Sequence, residues 1–240
     1  MRALIVDDER LARKELIGLL DEHPSIEVIG EAMNADEAHH FIVEQNPDLL
    51  FLDIQMPGKT GFELLEMLDK TPMVVFTTAY DEFALKAFEV NAMDYLLKPI
   101  QADRLNETVN KIAERSRSRT VQQEPGERKL VLSDQVFVKD GDRCWFVSLS
   151  NIRLFESDGN YIKVYFENNR PMIHKSLNVL DEKLDERAFF RASRKHIINL
   201  SWVDSIEPWF NGGLMVKLRG GDKVEVSRRQ AAKFREMMSL

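Results

Sequence analysis

Residues 49–53 read Leu-Leu-Phe-Leu-Asp: four apolar side chains in a row, then a carboxylate. A strand covered on both faces is apolar without alternation, and such strands belong to parallel sheets. The acid that ends the run then lies at the carboxyl end of its strand, where open α/β sheets carry their active groups. Working outward, residues 3–6 (ALIV), 26–29 (IEVI), 73–76 (MVVF) and 95–97 (YLL) are short runs of similar character. Between them Ala12, Leu16, Leu19 and Leu20 share one helical face, and Phe62, Leu65 and Leu68 share another. After Asp103, expected as an N-cap, Leu105, Val109 and Ile112 recur at helical spacing. Five strands alternating with helices predict a doubly wound, flavodoxin-like α/β sheet with five parallel strands.

The ends of those strands form a constellation. The first ends in Asp7-Asp8-Glu9, the third in Asp53, the fourth in Thr77-Thr78-Ala79 and the fifth in Lys98-Pro99. Asp7-Asp8 alone would read as a solvated turn, and Lys-Pro alone carries nothing. Their conjunction at one end of successive strands is what points to a site. Carboxylates packed together repel unless a cation neutralises them. Oxygen ligands without His or Cys favour a hard ion such as Mg²⁺. A lysine opposite can pair with Asp53 or with charge added to it, and the Thr78 hydroxyl can bond an oxygen arriving there. A nucleophile, a metal and charge stabilisers are the equipment for accepting a phosphoryl group on a carboxylate.

At this point the first half resembles a response-regulator receiver domain. The motifs are LIVDDE (4–9), LDIQMPGKTG (52–61), FTTAY (76–80) and DYLLKP (94–99). The resemblance implies that Asp53 is phosphorylated by a sensor histidine kinase. It also implies that Mg²⁺ is held by Asp8, Asp53 and the backbone carbonyl of Gln55, with Asp7 acting through water. Thr78 matches the switch residue, Tyr95 its coupled aromatic, and Lys98 the phosphate-binding lysine, with a cis peptide before Pro99. Gln55 and Tyr80 occupy positions that tune phosphoryl lifetime in the family.

With 240 residues the chain is long enough for one large or two small domains, and 44% hydrophobic with 30% charged residues excludes wholesale disorder. No apolar run approaches the roughly 18 residues of a membrane span. The opening MRALIVDDER turns acidic too soon for a signal peptide. The single Cys144 excludes an intrachain disulfide and a Cys-rich metal cluster. The chain therefore reads as cytoplasmic, with no membrane partner. Charge is uneven: residues 1–114 hold 10 Lys+Arg against 23 Asp+Glu, and residues 115–240 hold 23 against 17. A basic second half after an acidic first half predicts two domains with different partners. The expected boundaries are a receiver at 1–115, a polar linker at 116–128 and a second domain at 129–240.

The second half is mostly strand, with expected runs at 130–132, 136–139, 143–147, 152–155, 161–167, 171–174, 203–208, 214–218 and 223–226. Asp158-Gly159-Asn160, Asn211-Gly212-Gly213 and Gly220-Gly221-Asp222 are its strongest turns. Helical pattern appears only near 177–184 and after Ser227, which disfavours winged-helix and helix-turn-helix readers. Arg191, Arg194, Lys195 and His196 precede Ile197-Ile198, and Arg228-Arg229 open the last helix. Such charges serve either to neutralise phosphates or as solvated guards of strand edges. This half resembles a LytTR DNA-binding domain, as in the AlgR/AgrA/LytR regulators. The residues carrying the likeness are IRLFESDGNYIKVYF (152–166), FFRASRKHIINLSWVDSIEP (189–208) and KVEVSRRQAAKF (223–234). The resemblance maps double-stranded DNA contacts to Asn160 and Tyr161, to Lys195 and Asn199 with Arg194 nearby, and to Arg228 and Arg229. Asn199 reads equally as a satisfied structural amide. Where many members have His-Arg, this chain has Ser193-Arg194, so no role passes to Ser193.

The expected whole is a transcriptional response regulator. Asp53 is phosphorylated, the receiver forms a homodimer at least in that state, and paired LytTR domains engage tandem half-sites. It is a phosphoacceptor rather than an enzyme. A haloacid-dehalogenase-type phosphatase would need a second Asp where Gln55 stands. A signalling adaptor whose β domain binds protein is separated from the main reading by salt-dependent DNA retention.

Overall fold

The computed structural model describes residues 1–79, 92–117, 129–141 and 143–238. Tyr80 and most of the expected linker lie outside these. The described residues fall into two compact units. One takes in the described part of Met1–Gln123 with Gln135–Phe137 and Gly141–Phe146, the other the described part of Glu124–Asp134, Val138–Asp140 and Val147–Leu240.

In the first unit β1 (Arg2–Val6), β2 (Glu27–Ala32), β3 (Leu49–Asp53), β4 (Met73–Thr78) and β5 (Asp94–Leu97) pair in the order β2-β1-β3-β4-β5. All four pairings are parallel. The described helices are α1 (Arg10–Leu20), α2 (Ala35–Gln45), α3 (Gly61–Met67) and α4 (Ala102–Arg117). Every residue of β3 is buried, as its unbroken apolar run requires. On one face Leu16 and Leu20 of α1 and Leu105, Val109 and Ile112 of α4 pack with Phe51 and Val75. On the other, Ile42 of α2 and Phe62, Leu64 and Leu65 of α3 pack with Leu50, Leu52 and Phe76, and Phe137, Cys144 and Phe146 join that cluster. Phe62 lies 5.1 Å from Phe76, and Phe137 lies 5.2 Å from Phe146, between ring centroids. Asp103 does not cap α4, because the helix begins one residue earlier; it lies in the first turn, where its charge faces the positive end of the helix dipole.

One polar knot holds β5 to α4. The buried Asp94 carboxylate accepts from Arg104, from Thr108 Oγ1 at 2.8 Å, from Lys111 Nζ at 2.9 Å and from the Tyr95 N–H at 3.0 Å. Burial alone would raise its pKa, but these donors outweigh burial and hold it at about 2. A folded-state value below the ordinary carboxylate value gives stability that is present above that ordinary value and is lost as pH falls through about 2. Asp94→Asn should therefore destabilise this unit by on the order of 2 kcal/mol at pH 7. The deficit should shrink as pH falls from 5 to 2. Urea unfolding followed by circular dichroism reads the difference, and a deficit equal at both ends of that range would refute the assignment.

The second unit is built on an antiparallel sheet in the order β10-β9-β8-β12-β11, from β8 (Ile152–Asp158), β9 (Tyr161–Phe166), β10 (Met172–Ile173), β11 (Phe189–Arg191) and β12 (His196–Asn199). A three-stranded antiparallel sheet of β13 (Val203–Pro208), β14 (Leu214–Leu218) and β15 (Lys223–Val226) contributes to the same core together with α6 (Arg228–Met237), and α5 (Leu177–Lys183) lies between β10 and β11 in the chain. The hairpin β6 (Gln135–Asp140) and β7 (Arg143–Ser148) forms a two-stranded sheet of its own. The three expected turns are present, with positive φ at Gly159, Asn211, Gly212, Gly220 and Gly221. Residues 130–132 form no strand; Leu130 makes an isolated bridge to Leu184. The strands read from the sequence omit β11 and β12, which are short and flank the Arg/Lys run that reads as loop.

Candidate functional site

In the first unit the strand ends converge as the alternating pattern requires. Carboxylate oxygens of Asp7, Asp8 and Asp53 all lie within 4.8 Å of one another. Asp7 and Asp53 are 3% and 4% exposed, while Asp8 faces solvent. Lys98 Nζ stands between the buried pair, 2.7 Å from Asp7 Oδ2 and 2.8 Å from Asp53 Oδ2. Burial pushes the Asp53 carboxyl above its ordinary pKa, against the pull of the Lys98 ammonium and of the Gln55 N–H at 3.1 Å. Burial also works against the Lys98 ammonium, but the Asp53 and Asp7 carboxylates prevail and hold it above its ordinary value. The Lys98–Pro99 peptide is cis.

Thr78 ends β4 with its hydroxyl buried, and Thr78 Oγ1 has no hydrogen-bond partner among the described residues. A buried polar atom left unpaired costs free energy, and such atoms are few in folded proteins. Tyr95 is turned inward, packed in the cluster with Phe62, Leu65 and Phe76. Two residues to which the sequence reading gave no role shape the site. Arg13 donates through Nη1 to the backbone carbonyl of Asp7 at 2.8 Å and braces the acidic turn. Gly61 opens α3 against β3 so closely that a methyl group there would overlap the Asp53 carbonyl oxygen. The available signal for Gly61 was a glycine opening a helix just after the loop that follows the Asp53 strand; Arg13 offered none.

In the second unit three loops meet. The β8–β9 turn carries Asn160 and Tyr161, both exposed, and the Tyr161 ring lies edge-on to His174 at 5.4 Å. The β11–β12 loop carries Arg194 and Lys195, also exposed, and the Lys195 carbonyl accepts from the Ser157 N–H at 2.8 Å. The start of α6 carries the exposed Arg228 and Arg229, and the Ser227 N–H donates to the Ala192 carbonyl at 3.1 Å. Two main-chain bonds thus set all three loops side by side. Arg191 faces inward and serves the loop: its guanidinium donates to the Ser193, Arg194 and Leu177 carbonyls. Burial pulls the pKa of that guanidinium below its ordinary value. Ser193 Oγ accepts from the Lys195 N–H and meets His196 Nδ1, both at 3.2 Å.

The expected DNA contact at Asn199 is corrected here. Its side chain is fully buried; Nδ2 donates to the Leu149 and Ile152 carbonyls, and Oδ1 accepts from the Ser201 N–H and hydroxyl. With those bonds made, the amide is a structural staple across β12 and β8.

Residues 3–110 match the response regulator receiver domain family, and residues 142–239 match the LytTr DNA-binding domain family. A sensory transduction protein LytT from Enterococcus faecalis is 37% identical over 243 residues, which span the whole of both chains. An uncharacterized response regulatory protein from Vibrio cholerae is 39% identical over 242 residues, covering all of this chain and 99% of its own. Among solved structures, the response regulatory domain of protein mrkE from Klebsiella pneumoniae is 34% identical, covers 50% of this chain and 100% of its own, and gives a TM-score of 0.46. The chain belongs to the response regulators of two-component systems, and its output half is a LytTR DNA-binding domain. Among the described residues no helix is long and apolar enough to cross a membrane.

Proposed function

We propose that this response regulator is a cytoplasmic transcription factor switched by phosphorylation of Asp53 and read out by sequence-specific binding of double-stranded DNA. The observation that carries the first step is the Lys98 ammonium bonded to both Asp53 and Asp7, with Asp8 beside them. In phosphorylation by a sensor histidine kinase, an Asp53 oxygen attacks phosphorus. The phosphorus–nitrogen bond of the kinase phosphohistidine breaks, and an acyl phosphate forms. The oxygen-only donor set fits Mg²⁺, which Asp7, Asp8, Asp53 and the Gln55 carbonyl would hold. The ion would supply positive charge against the phosphoryl oxygens. Lys98 pairs with the new dianion, and the unpartnered Thr78 hydroxyl bonds one of its oxygens. Tyr95, packed beside that strand end, adjusts with it, and a phosphorylated homodimer follows.

The second step rests on the convergence of the three loops. Arg194, Lys195, Arg228 and Arg229 can neutralise phosphates, and Arg can also read guanine with two parallel donors. Asn160 and Tyr161 complete the contacting set. Two LytTR domains on tandem half-sites bind more tightly than one, because the first contact raises the effective concentration of the second. Selection from randomised duplex DNA with the phosphorylated full-length chain tests this, and recovery of no preferred sequence would overturn it.

Arg229 is the residue to change first, since it is exposed at the start of α6, next to the Ser227 N–H that bonds the Ala192 carbonyl of the β11–β12 loop. If it reads a base, Arg229→Ala flattens preference at one operator position, a loss of about 1–3 kcal/mol of discrimination. If it clamps a phosphate, affinity falls for all sequences and the log K against log salt slope shrinks by about one unit. Wild-type affinity with wild-type slope would remove Arg229 from the interface.

A further inference from the structure

The strands β13 and β14 are joined by the turn Trp209–Gly213, and its aromatic residues are not buried. Phe210 is 74% exposed and Trp209 39%. The two rings meet edge to face with centroids 4.9 Å apart. The turn beneath them is closed by main-chain bonds: the Trp209 N–H donates to the Gly213 carbonyl at 3.0 Å, and the Gly213 N–H to the Phe210 carbonyl at 3.1 Å. Asn211 and Gly212 take the left-handed conformation that curls it, with φ of 54° and 79°. A single exposed apolar residue is ordinary. Two adjacent aromatics held in fixed contact on a closed turn are a presented surface.

Its neighbour names the occupant. A Cβ placed on Gly212 would lie 3.8 Å from Arg228 Cγ and 3.9 Å from Cδ, so the arginine stem runs over the bare backbone of this turn. The turn that carries the aromatic pair therefore adjoins the Arg228 end of the basic surface. A ligand that covers both must offer negative charge and apolar faces side by side. Duplex DNA does so, with phosphates flanking thymine methyl groups and sugars.

We propose that Phe210 contacts the DNA directly, its ring supplying an apolar contact next to the charged contacts of Arg228 and Arg229, with Trp209 as its backing. This inference rests on the DNA-binding reading above. An apolar contact releases no counterions, so its signature differs from that of an arginine. With the full-length chain and a duplex selected by the wild type, Phe210→Ala should weaken binding roughly tenfold. The salt slope should stay at its wild-type value, and Phe210→Leu should recover most of the loss. The second measurement leaves Phe210 in place. Binding the same duplex should change tryptophan emission in the wild type, and Trp209→Phe should abolish that change, leaving only Trp145 and Trp202 as emitters.

Wild-type affinity in Phe210→Ala overturns the contact. So does a loss accompanied by a smaller salt slope, which would mean that the ring acts only by placing the arginines. A Phe210→Ala chain that loses self-association in DNA-free sedimentation while keeping affinity for one half-site would assign the pair to a protein interface and also overturn it. A wild-type chain that retains no duplex at all refutes the DNA-binding reading itself, a result distinct from these.

Discussion

Incubated with acetyl phosphate and Mg²⁺, the wild-type chain should gain one phosphoryl group and the Asp53→Asn chain none. Intact mass measurement reads the difference as one added phosphoryl group against zero. The reason is positional. Asp7 is as buried as Asp53 and bonds the same ammonium, but it follows β1, which is separated from β4 and Thr78 by β3. Asp8 is exposed. Among the described residues Asp53 alone combines the end of a fully buried central strand with Lys98 at 2.8 Å and the unpartnered Thr78 hydroxyl one strand away. An amide at that position keeps the shape but offers no carboxylate to form an acyl phosphate. A stoichiometric label in Asp53→Asn would move the acceptor elsewhere and with it the whole switch.

The second large effect lies at the other end of the chain. Phe234 of α6 is fully buried, its ring 5.0 Å from Phe190, among Leu154, Ile198, Val216 and Val224. Phe234→Ala should cost about 3–5 kcal/mol, because the lost ring leaves a cavity that sheets on both sides are slow to fill. The functional consequence follows from where the helix begins. Arg228 and Arg229 are held in place only while α6 stays seated, so DNA retention should disappear together with the stability of the second unit. Asp53 phosphorylation should continue undiminished. Urea unfolding, a DNA retention assay and the phosphorylation assay on one preparation separate these outcomes, and a cost below about 1 kcal/mol would contradict the packing argument.

The first unit was legible because burial on both faces leaves an unmistakable trace: runs such as residues 49–52 are apolar without alternation, and all but the edge run at 26–29 end in a polar residue on the same side of the sheet. The acidic cluster and Lys98 follow from topology alone. What topology does not encode is support. Arg13 reaches back to a backbone carbonyl, and Gly61 matters for an atom it would strike; neither leaves a periodic signal. The second unit was legible as strands and turns, since glycine at positive φ marks its corners. Its pairing order was not, because β8 lies between β9 and the distant β12. Asn199 shows the limit most sharply. An amide beside a basic loop has the composition of a DNA contact, and only burial with four hydrogen bonds reveals a staple. Nor did the apolar residues of the β6–β7 hairpin announce that Phe137 and Phe146 would join the core of the first unit.

The bonds that seat the three loops, Ser157 N–H to the Lys195 carbonyl and Ser227 N–H to the Ala192 carbonyl, use groups that nearly every residue type carries. The outward side chains at 160, 194, 195 and 229 contribute nothing to them. On the DNA-binding proposal above, those positions can vary while the backbone scaffold stays put, and a handful of exchanges there should shift the preferred operator without refolding the domain. Libraries restricted to those four sites would keep a high share of well-folded members, which makes this face a practical starting point for building repressors and activators of chosen promoters.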